Sequence, residues 1–328
     1  MKLIGCDLHL DLKMYRVPDN GIRRIKLNFP EFEIIPVNVP GFPKYYSDME
    51  VYWGNRINED IIRSSTSLKW IHFGSLGVNN ARTNLVQERG IIITNSKGTV
   101  EKAVALTALA FLLSLARGIQ RGKELSQGKM FSRESFDRYF EFISDLEGFK
   151  VLIVGSGEIG SILSKMLATL GTSIDLIVKN EDRIKDDHIS NIYGLERLAY
   201  AVSKADAVIN LLPFTTETKD IFNERVFREV KPGSFFINVG RGETVVESDL
   251  IKFIKNGRIA GVGLDVFSNE PLADDSELHH LPNVLITPHV AAISSAYWDK
   301  EIDLFIRNLT RYANGRELLN VVDTTKGY

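Results

Sequence analysis

Short apolar runs separated by turn residues dominate the first hundred positions of the chain. Four of these runs have the length of β-strands, at residues 32–39, 50–53, 68–73 and 91–94. Segments of helical length lie between the later runs, at residues 59–66 and 82–89. Strands that alternate with helices are typical of a mostly parallel sheet, so we expect a first β/α domain here.

A long apolar segment follows this first alternation. Residues 100–120 form one predicted helix, which is apolar nearly all round between Val104 and Ala116. A helix without a polar face is expected to be buried, either between domains or between subunits. Gly122 and Gly128 then introduce a more polar stretch that extends to Gly148, and we expect a connection between domains there.

A second alternation of strands and helices begins at Phe149. The predicted strands are residues 150–154, 173–179, 207–212, 234–239, 259–264 and 283–287, and the predicted helices are 159–170, 195–203, 248–256 and 295–313. The strand runs are almost continuously apolar, as in parallel sheets that are covered on both faces. The sequence therefore predicts an α/β fold.

The composition is that of a globular protein in aqueous solution, with 44% hydrophobic and 25% charged residues among 328. A net charge of −2 gives no reason to expect nucleic acid or an anionic membrane as a partner. The single cysteine, Cys6, cannot form an internal disulfide, which favours a reducing compartment. The longest apolar run, residues 104–113, is too short to span a bilayer. We therefore expect a cytoplasmic protein.

Residues 151–160 read VLIVGSGEIG and contain a glycine pattern of possible chemical importance. Gly155, Gly157 and Gly160 fit G-x-G-x-x-G, in which the glycines allow a tight turn, the approach of a pyrophosphate and close helix packing. A predicted strand precedes them and a predicted helix follows, which is the context that the pattern requires. Glu158 argues the other way, because its carboxylate would repel a phosphate unless it points away. Dinucleotide binding is favoured over the alternative, a purely structural turn.

The end of the following strand bears on which nicotinamide cofactor would bind. An acidic residue usually holds the ribose hydroxyls there, whereas this chain reads Val178-Lys179-Asn180. Lys179 could attract a 2′-phosphate, so the sequence slightly favours NADP(H) over NAD(H). A solvated loop lysine is an equally good interpretation, and the acidic residues at positions 181 and 182 weaken the argument.

Polar residues follow three late strands, at the edge where parallel sheets bind ligands. They are Arg241, Asp265 with Glu270, and His289. Arginine can clamp a carboxylate through two hydrogen bonds, and histidine can transfer the proton of a hydroxyl. With a nicotinamide as hydride carrier, this set suits the interconversion of 2-hydroxy and 2-oxo acids. Taken singly, each residue also has a structural explanation, and no metal-binding motif is evident.

Four ordered motifs resemble those of the D-isomer-specific 2-hydroxyacid dehydrogenases. Residues 150–160 resemble the nucleotide fingerprint of that family, and residues 238–242 its arginine motif. Residues 263–272 resemble the acid motif, and residues 287–289 the histidine motif. The spacing between the motifs also matches, and the similarity covers nearly the whole chain, most weakly in the first sixty residues.

The resemblance implies an architecture and a function. It implies a larger Rossmann dinucleotide-binding domain (99–289) and a smaller, discontinuous, flavodoxin-like substrate domain (1–98 and 290–328), each with a doubly wound parallel sheet. It implies hydride transfer between a nicotinamide and C2 of a small D-2-hydroxy or 2-oxo acid, in a reductase of glyoxylate or hydroxypyruvate type. It also implies a homodimer, with the helix near residues 100–120 at the interface.

The resemblance also assigns roles to individual residues. Arg241 would bind the substrate, His289 would be the acid and base, and Glu270 would orient His289. Backbone amides of Leu76 and Gly77 would meet the substrate carboxylate, and Asp265 would hold the nicotinamide carboxamide. The cofactor-binding set would be Gly155, Gly157, Glu158, Ile159, Gly160, Lys179, Asn180, Leu212, Pro213, Thr218, Val239, Gly240, Arg241, Asp265 and His289.

The chain departs from the family pattern at several positions. Asn79 replaces an aspartate of the substrate loop, Val100 and Leu106 replace polar residues, and Val178 replaces the ribose-binding acid. Two alternative functions stay open: a dinucleotide-sensing binding protein or corepressor without catalysis, and a phosphonate-type dehydrogenase that uses a similar arginine, glutamate and histidine.

Overall fold

The computed structural model of the chain describes residues 2–8, 12, 14–37, 41–78, 84–137, 139–179 and 187–323. The chain forms two compact units. The smaller unit comprises Met1–Val100 and Ala292–Tyr328, and the larger unit comprises Glu101–Ala291.

The smaller unit contains a five-stranded parallel sheet in the order β2-β1-β3-β4-β5. Its N-terminal elements are β1 (Lys2–Cys6), α1 (Asp19–Asn28), β2 (Phe32–Pro36), β3 (Met49–Gly54), α2 (Glu59–Ser64), β4 (Trp70–Phe73), α3 (Asn84–Glu88) and β5 (Ile92–Asn95). Every residue of β3 and β4 is buried, as expected for central strands covered on both faces.

The larger unit contains a seven-stranded parallel sheet in the order β12-β11-β10-β9-β6-β7-β8. Its elements are α4 (Glu101–Ala116), α5 (Ile119–Gln127), α6 (Arg133–Asp137), β6 (Lys150–Val154), α7 (Glu158–Ala168), β7 (Ser173–Val178), β8 (Ile189–Gly194), α8 (Leu198–Val202), β9 (Ala207–Asn210), α9 (Glu224–Glu229), β10 (Ser234–Asn238), α10 (Glu247–Lys255), β11 (Ile259–Leu264) and β12 (Val284–Ile286). The two parallel sheets confirm the predicted α/β class.

The strand order of the larger unit predicts where a ligand crevice lies. The chain proceeds outward from β6 through β7 to β8, and then returns to build β9 to β12 on the other side of β6. Ligands of doubly wound sheets bind beyond the carboxyl ends of the strands at such a switch point. The crevice therefore lies where β6 and β9 end.

The last helix, α11 (Tyr297–Ala313), completes the core of the smaller unit. Phe305 of this helix stacks on Trp53 with ring centroids 4.1 Å apart, and on Trp70 at 5.3 Å. The buried Glu301 accepts hydrogen bonds from Trp53 Nε1 at 3.0 Å and from Ser96 Oγ at 2.6 Å. These contacts join the C-terminal helix to strands from the first hundred residues.

The prediction of one helix over residues 100–120 is wrong. Helix α4 ends at Ala116, and α5 continues at an angle of 63°. Gly118, with φ of 62°, occupies the break in a left-handed conformation that glycine adopts without strain. The apolar surface of α4 packs within its own unit, where Gly261 and Gly263 of β11 leave room for Leu115 and Phe111.

The polar stretch up to Gly148 contains α5 and α6, and it belongs to the larger unit instead of connecting the two units. In the part of the chain that the structure describes, no single helix is long and apolar enough to cross a membrane. Helices α4 and α5 meet that test only when they are combined as a bent pair.

Smaller differences concern strand ends and short helices. Strand β2 ends at Pro36, and residues 38 and 39 of the predicted strand lie outside the described residues, as do residues 82 and 83 of a predicted helix. Helices α1 and α9 and strand β8 were not predicted. Strand β8 lies at the sheet edge and is partly exposed, so it lacks the apolar run that identifies its neighbours.

Candidate active site

The glycine turn joins β6 to α7 and fits a dinucleotide pyrophosphate. Gly155 has φ of 112°, a conformation that side-chain-bearing residues rarely adopt. A Cβ atom on Gly160 would lie 2.6 Å from the carbonyl oxygen of Gly155, so only glycine allows the helix to start this close to the strand. At Gly157 no heavy atom other than those of the glycine and its neighbours in the chain lies within 4 Å of the Cβ position, which leaves space for a phosphate. Helix α7 starts at this turn, so its N-terminal amides and the positive end of its dipole are available to a phosphate.

Two predicted members of this turn lie on the first turn of α7. Glu158 is exposed and Ile159 is half-buried. Glu158 also suits the positive end of the helix dipole, so a carboxylate at this position has a structural explanation as well as the predicted contact with the cofactor.

The end of β7 presents a cation that is already paired. Val178 is buried, and Lys179 Nζ lies 2.8 Å from Glu217 Oε2. Both charged side chains are well exposed, so this ion pair contributes little to stability. Glu217 was not predicted at the site, because it lies 38 positions away along the chain. Asn180 lies outside the described residues.

The loop after β9 is held by its own side chains. Thr218 is buried, and its hydroxyl donates a hydrogen bond to Pro213 O at 2.7 Å while accepting one from Thr215 N at 2.8 Å. The backbone N–H of Leu212 donates to Asn210 Oδ1 at 3.1 Å. The predicted residues Leu212, Pro213 and Thr218 thus form one ordered segment at the carboxyl edge of the sheet.

The turn that carries Arg241 follows β10 and packs tightly on both sides. A Cβ atom on Gly240 would lie 2.7 Å from Leu212 O, and one on Gly242 would lie 1.9 Å from the carbonyl carbon of Phe267. The turn therefore sits in backbone contact with the Leu212 loop and with the loop after β11. Val239 is buried, and Arg241 Nη1 donates to Gly240 O at 2.7 Å.

His289 and Glu270 are brought together by loops that follow β12 and β11. Their Nδ1 and Oε2 atoms are 2.6 Å apart. Burial tends to raise the Glu270 pKa, but the hydrogen bond and charge of His289, with smaller effects of Phe267 N–H and Arg241, hold that pKa below its usual value. The ionised carboxylate fixes the tautomer of the imidazole, with Nδ1 carrying the proton toward Glu270. The other ring nitrogen, Nε2, is then left for a ligand.

Asp265 has more structural partners than the sequence suggested. It is 1% exposed, and its Oδ1 accepts hydrogen bonds from Thr287 Oγ1 at 2.5 Å and Val290 N at 2.9 Å. Its Oδ2 accepts from Ala291 N at 2.9 Å, and its carbonyl accepts from His289 N at 2.8 Å. His289 has φ of 53°, a left-handed conformation unusual for this residue type. Asp265 thus anchors the loop that holds His289 in this conformation.

The predicted substrate loop belongs to the smaller unit. Leu76 and Gly77 follow β4, and their carbonyl oxygens accept hydrogen bonds from Asn95 Nδ2 at 3.0 Å and Ser75 Oγ at 2.9 Å. Asn79 lies outside the described residues. The structure therefore groups Arg241, Glu270 and His289 with the glycine turn in one unit, whereas Leu76 and Gly77 stand in the other. Within the described ranges, no three His, Cys, Asp or Glu side chains are arranged to bind a metal ion.

The chain is similar in sequence to known proteins. Residues 109–291 match the model of the D-isomer specific 2-hydroxyacid dehydrogenase family, NAD binding domain. The chain is 29% identical to a glyoxylate reductase of Thermococcus litoralis over 318 residues, covering 94% of this chain and 95% of the relative. It is also 29% identical to a glyoxylate/hydroxypyruvate reductase of Arabidopsis thaliana over 266 residues, covering 81% and 80% of the two chains.

Solved structures share the fold at lower identity. A D-isomer specific 2-hydroxyacid dehydrogenase of Xanthobacter autotrophicus in complex with NADPH superposes with a TM-score of 0.81 at 23% identity, covering 100% of this chain and 99% of that one. An NAD-dependent formate dehydrogenase of Staphylococcus aureus in complex with NAD gives a TM-score of 0.83 at 19% identity, covering 98% and 99%. The family match covers more than half of the chain and confirms the resemblance. The chain belongs to the D-isomer specific 2-hydroxyacid dehydrogenase family and is thus an oxidoreductase that acts on CH–OH groups.

Proposed function

We propose that the chain is an NAD(P)-dependent reductase of small 2-oxo acids of the glyoxylate or hydroxypyruvate type. The observation that carries the proposal is the 2.6 Å contact between His289 Nδ1 and Glu270 Oε2, on the same sheet edge as Arg241 and the glycine turn. The reductases of Thermococcus litoralis and Arabidopsis thaliana support the choice of substrate.

Each residue of the site has a separate role in the proposed reduction. When bound, a nicotinamide would supply the hydride for C2 of the oxo acid. Arg241 binds the substrate carboxylate and polarises the adjacent carbonyl. His289, when both ring nitrogens carry protons, donates the Nε2 proton to the carbonyl oxygen as it becomes a hydroxyl, and the neutral imidazole that is left keeps its Nδ1 proton toward Glu270. Glu270 keeps the imidazole in the required tautomer and balances its positive charge, and the amides of Leu76 and Gly77 contribute to carboxylate binding.

We further propose that NADP(H) is slightly favoured over NAD(H). Lys179 provides a positive charge at the end of β7, where Val178 stands in place of an acid. The ion pair with Glu217 limits this preference, because a 2′-phosphate must compete with a carboxylate for Lys179. Discrimination between the two cofactors should therefore be modest.

A homodimer formed through the larger unit is part of the same proposal. Ile119, Met130, Phe131 and Phe140 are 53 to 76% exposed and lie within one continuous segment. Large exposed apolar side chains that occur together are typical of interaction surfaces. We propose no nucleic-acid or membrane partner. Cys6, the single cysteine of the chain, supports a cytoplasmic location.

The proposal is tested by following NADPH and NADH oxidation with glyoxylate, hydroxypyruvate and pyruvate. His289→Ala should lower turnover by at least ~100-fold, the usual loss when a general acid is removed. His280→Ala, an exposed histidine in a loop, is the matched control and should retain full activity. Full turnover in the His289 variant would refute the mechanism. Tight NADPH binding without turnover of any oxo acid would instead support a dinucleotide-sensing protein.

A further inference from the structure

Three buried polar side chains form a closed hydrogen-bonded ring with the backbone of Arg241. Asn210 ends β9, Asn238 ends β10 and Thr244 follows the turn, with exposed fractions of 0, 1 and 0%. Asn210 Nδ2 donates to Asn238 Oδ1 at 3.0 Å and to Thr244 Oγ1 at 2.7 Å. Asn238 Nδ2 and Thr244 Oγ1 both donate to Arg241 O, at 3.2 and 2.6 Å.

Backbone amides fix the direction of every bond in this ring. The N–H of Leu212 donates to Asn210 Oδ1 at 3.1 Å, and the N–H of Gly240 donates to Asn238 Oδ1 at 3.1 Å. Because a backbone N–H can only donate, both amide oxygens are identified as acceptors and both NH₂ groups as donors. The Thr244 hydroxyl accepts from Asn210, so its single proton goes to Arg241 O. The ring therefore has one arrangement of donors and acceptors.

The ring acts on a turn that has little room to move. Gly240 and Gly242 already contact the backbones of Leu212 and Phe267, as described above. A shift of the Arg241 backbone would leave buried donors of Asn238 and Thr244 without an acceptor, which is costly in a dry environment. Removing one ring member relaxes this constraint while the rest of the core stays in place.

We propose that the Asn210–Asn238–Thr244 ring positions Arg241 for the substrate carboxylate, and that the Thr244 hydroxyl is the positioning group nearest to that turn. The proposal rests on the role of Arg241 in the proposed function. It assigns a task to Asn210 and Thr244, which lie outside the predicted site. The Thr244 hydroxyl contacts Asn210 Nδ2 and Arg241 O, and its removal leaves the bonds of both asparagine oxygens to backbone amides in place. Its loss should therefore weaken the handling of the 2-oxo acid much more than the affinity for the dinucleotide.

Thr244→Val tests the proposal, since it removes the hydroxyl and keeps the branched shape. We expect KM for glyoxylate to rise and kcat to fall, so that kcat/KM is about tenfold lower, which corresponds to about 1.4 kcal/mol. The Kd of NADPH, measured from the fluorescence of NADPH, should stay within about twofold of the wild-type value, which is the agreement expected between sites that are not coupled. Thr244→Ser restores the hydroxyl and should recover most of kcat/KM.

Thr172→Val is the matched control. Its hydroxyl donates to Leu167 O at 3.0 Å, just before β7 begins, so it lies at the amino edge of the same sheet. This variant loses one hydrogen bond of a half-buried hydroxyl, whereas Thr244→Val loses two buried ones, so we expect a smaller change in Tm with unchanged KM and kcat. A purely structural role of Thr244 would lower Tm and leave KM and kcat unchanged, as at Thr172, and that result would overturn the proposal.

Equilibrium binding of oxamate, an unreactive 2-oxo acid analogue, separates this proposal from the proposed function. If the wild-type chain has no turnover but binds oxamate, and Thr244→Val weakens that binding about tenfold, the positioning role stands although the reductase assignment fails. If the wild type reduces glyoxylate and Thr244→Val binds oxamate with unchanged affinity, the positioning role fails alone. Absence of both turnover and oxamate binding in the wild type overturns both.

Discussion

The buried carboxylate of Asp265 allows a prediction that separates two roles of one residue. The family resemblance implies a contact with the nicotinamide carboxamide, whereas the structure shows that the carboxylate anchors the loop of His289. Asp265→Asn is nearly isosteric and replaces one acceptor oxygen with an NH₂ group. In either orientation, this group faces a backbone N–H of Val290 or Ala291.

The magnitude follows from the hydrogen bonds that are lost. The orientation that disrupts least loses the bond to Ala291 N, and a buried donor left unsatisfied costs about 1–3 kcal/mol. The remaining bonds lose their ionic character, and charge-assisted bonds are about twice as strong as neutral ones. We therefore expect a loss of about 2–4 kcal/mol in the free energy of unfolding, and a left-handed His289 that is less well held.

Thermal unfolding and steady-state kinetics measured together provide the assay. The expected loss corresponds to a decrease in Tm of about 5–15 °C for a domain of this size. Asp206→Asn is the matched control, since Asp206 accepts from Lys150 N at 2.9 Å at the amino edge of the same sheet and lies far from His289 in the strand order. It should change Tm less and leave kcat unchanged.

The outcome for Asp265→Asn can refute the reasoning. If Tm stays at the wild-type value while kcat and NADPH affinity fall, the carboxylate acts on the cofactor and does not anchor the His289 loop. If Tm and kcat fall while the Kd of NADPH is unchanged, the carboxylate anchors the loop and does not contact the carboxamide.

Three further predictions concern neighbouring parts of the site. Gly242→Ala places a Cβ atom 1.9 Å from the carbonyl carbon of Phe267, so the Arg241 turn must move and kcat/KM should fall at least ~10-fold. Wild-type kinetics would show that the loop of Phe267 moves instead. Glu217→Gln removes the carboxylate that competes for Lys179 and should lower the Kd of NADPH relative to that of NADH, while Lys179→Ala does the reverse. Equal Kd ratios in both variants would contradict this. Because the folded-state Glu270 pKa is held below its usual value, ionised Glu270 stabilises the fold above about pH 4.3, and this stabilisation is lost as pH falls through the folded pKa. Tm of Glu270→Gln should therefore depend less on pH below about pH 5 than Tm of the wild type, and parallel curves would contradict the assignment.

The sequence was most informative where one strand and the residues just after it form a local unit. Gly155, Arg241 and His289 each follow an apolar strand, and parallel strands bring their carboxyl ends to one edge, so the grouping follows from topology. The βα alternation likewise depends on apolar periodicity, which is visible in one sequence. The family resemblance then supplied the roles that spacing alone leaves open.

The features that could not be predicted depend on long-range contacts or on backbone conformation. The partner of Lys179 is Glu217, and nothing local indicates that pairing. The left-handed φ of His289 has no sequence signal, because it is imposed by the hydrogen bonds of Asp265. Asn210 has the appearance of an ordinary strand-end polar residue until the structure places it next to Thr244.

The prediction of one continuous helix across the break between α4 and α5 was wrong for a different reason. Gly118 was included in a helix because apolar residues continue on both sides of it, and a lone glycine within a helical pattern is often tolerated. Gly118 has a positive φ, and a Cβ atom there would lie 2.7 Å from Ile143 Cδ1 and 2.9 Å from Phe136 Cζ, contacts with later residues that the periodicity of one segment does not report.

The location of Arg241, Glu270 and His289 within one compact unit has an evolutionary consequence. On the proposed mechanism, proton transfer and the Arg241 contact with the substrate would be inherited together with the nucleotide fold, whereas the loop at Leu76 and Gly77 is carried by a separately packed unit. On that mechanism, recombination or drift in the smaller unit would alter the amide contacts to the substrate carboxylate and leave proton transfer in place. Chimaeras between relatives should then take their dependence on pH from the larger unit and part of their substrate affinity from the smaller one.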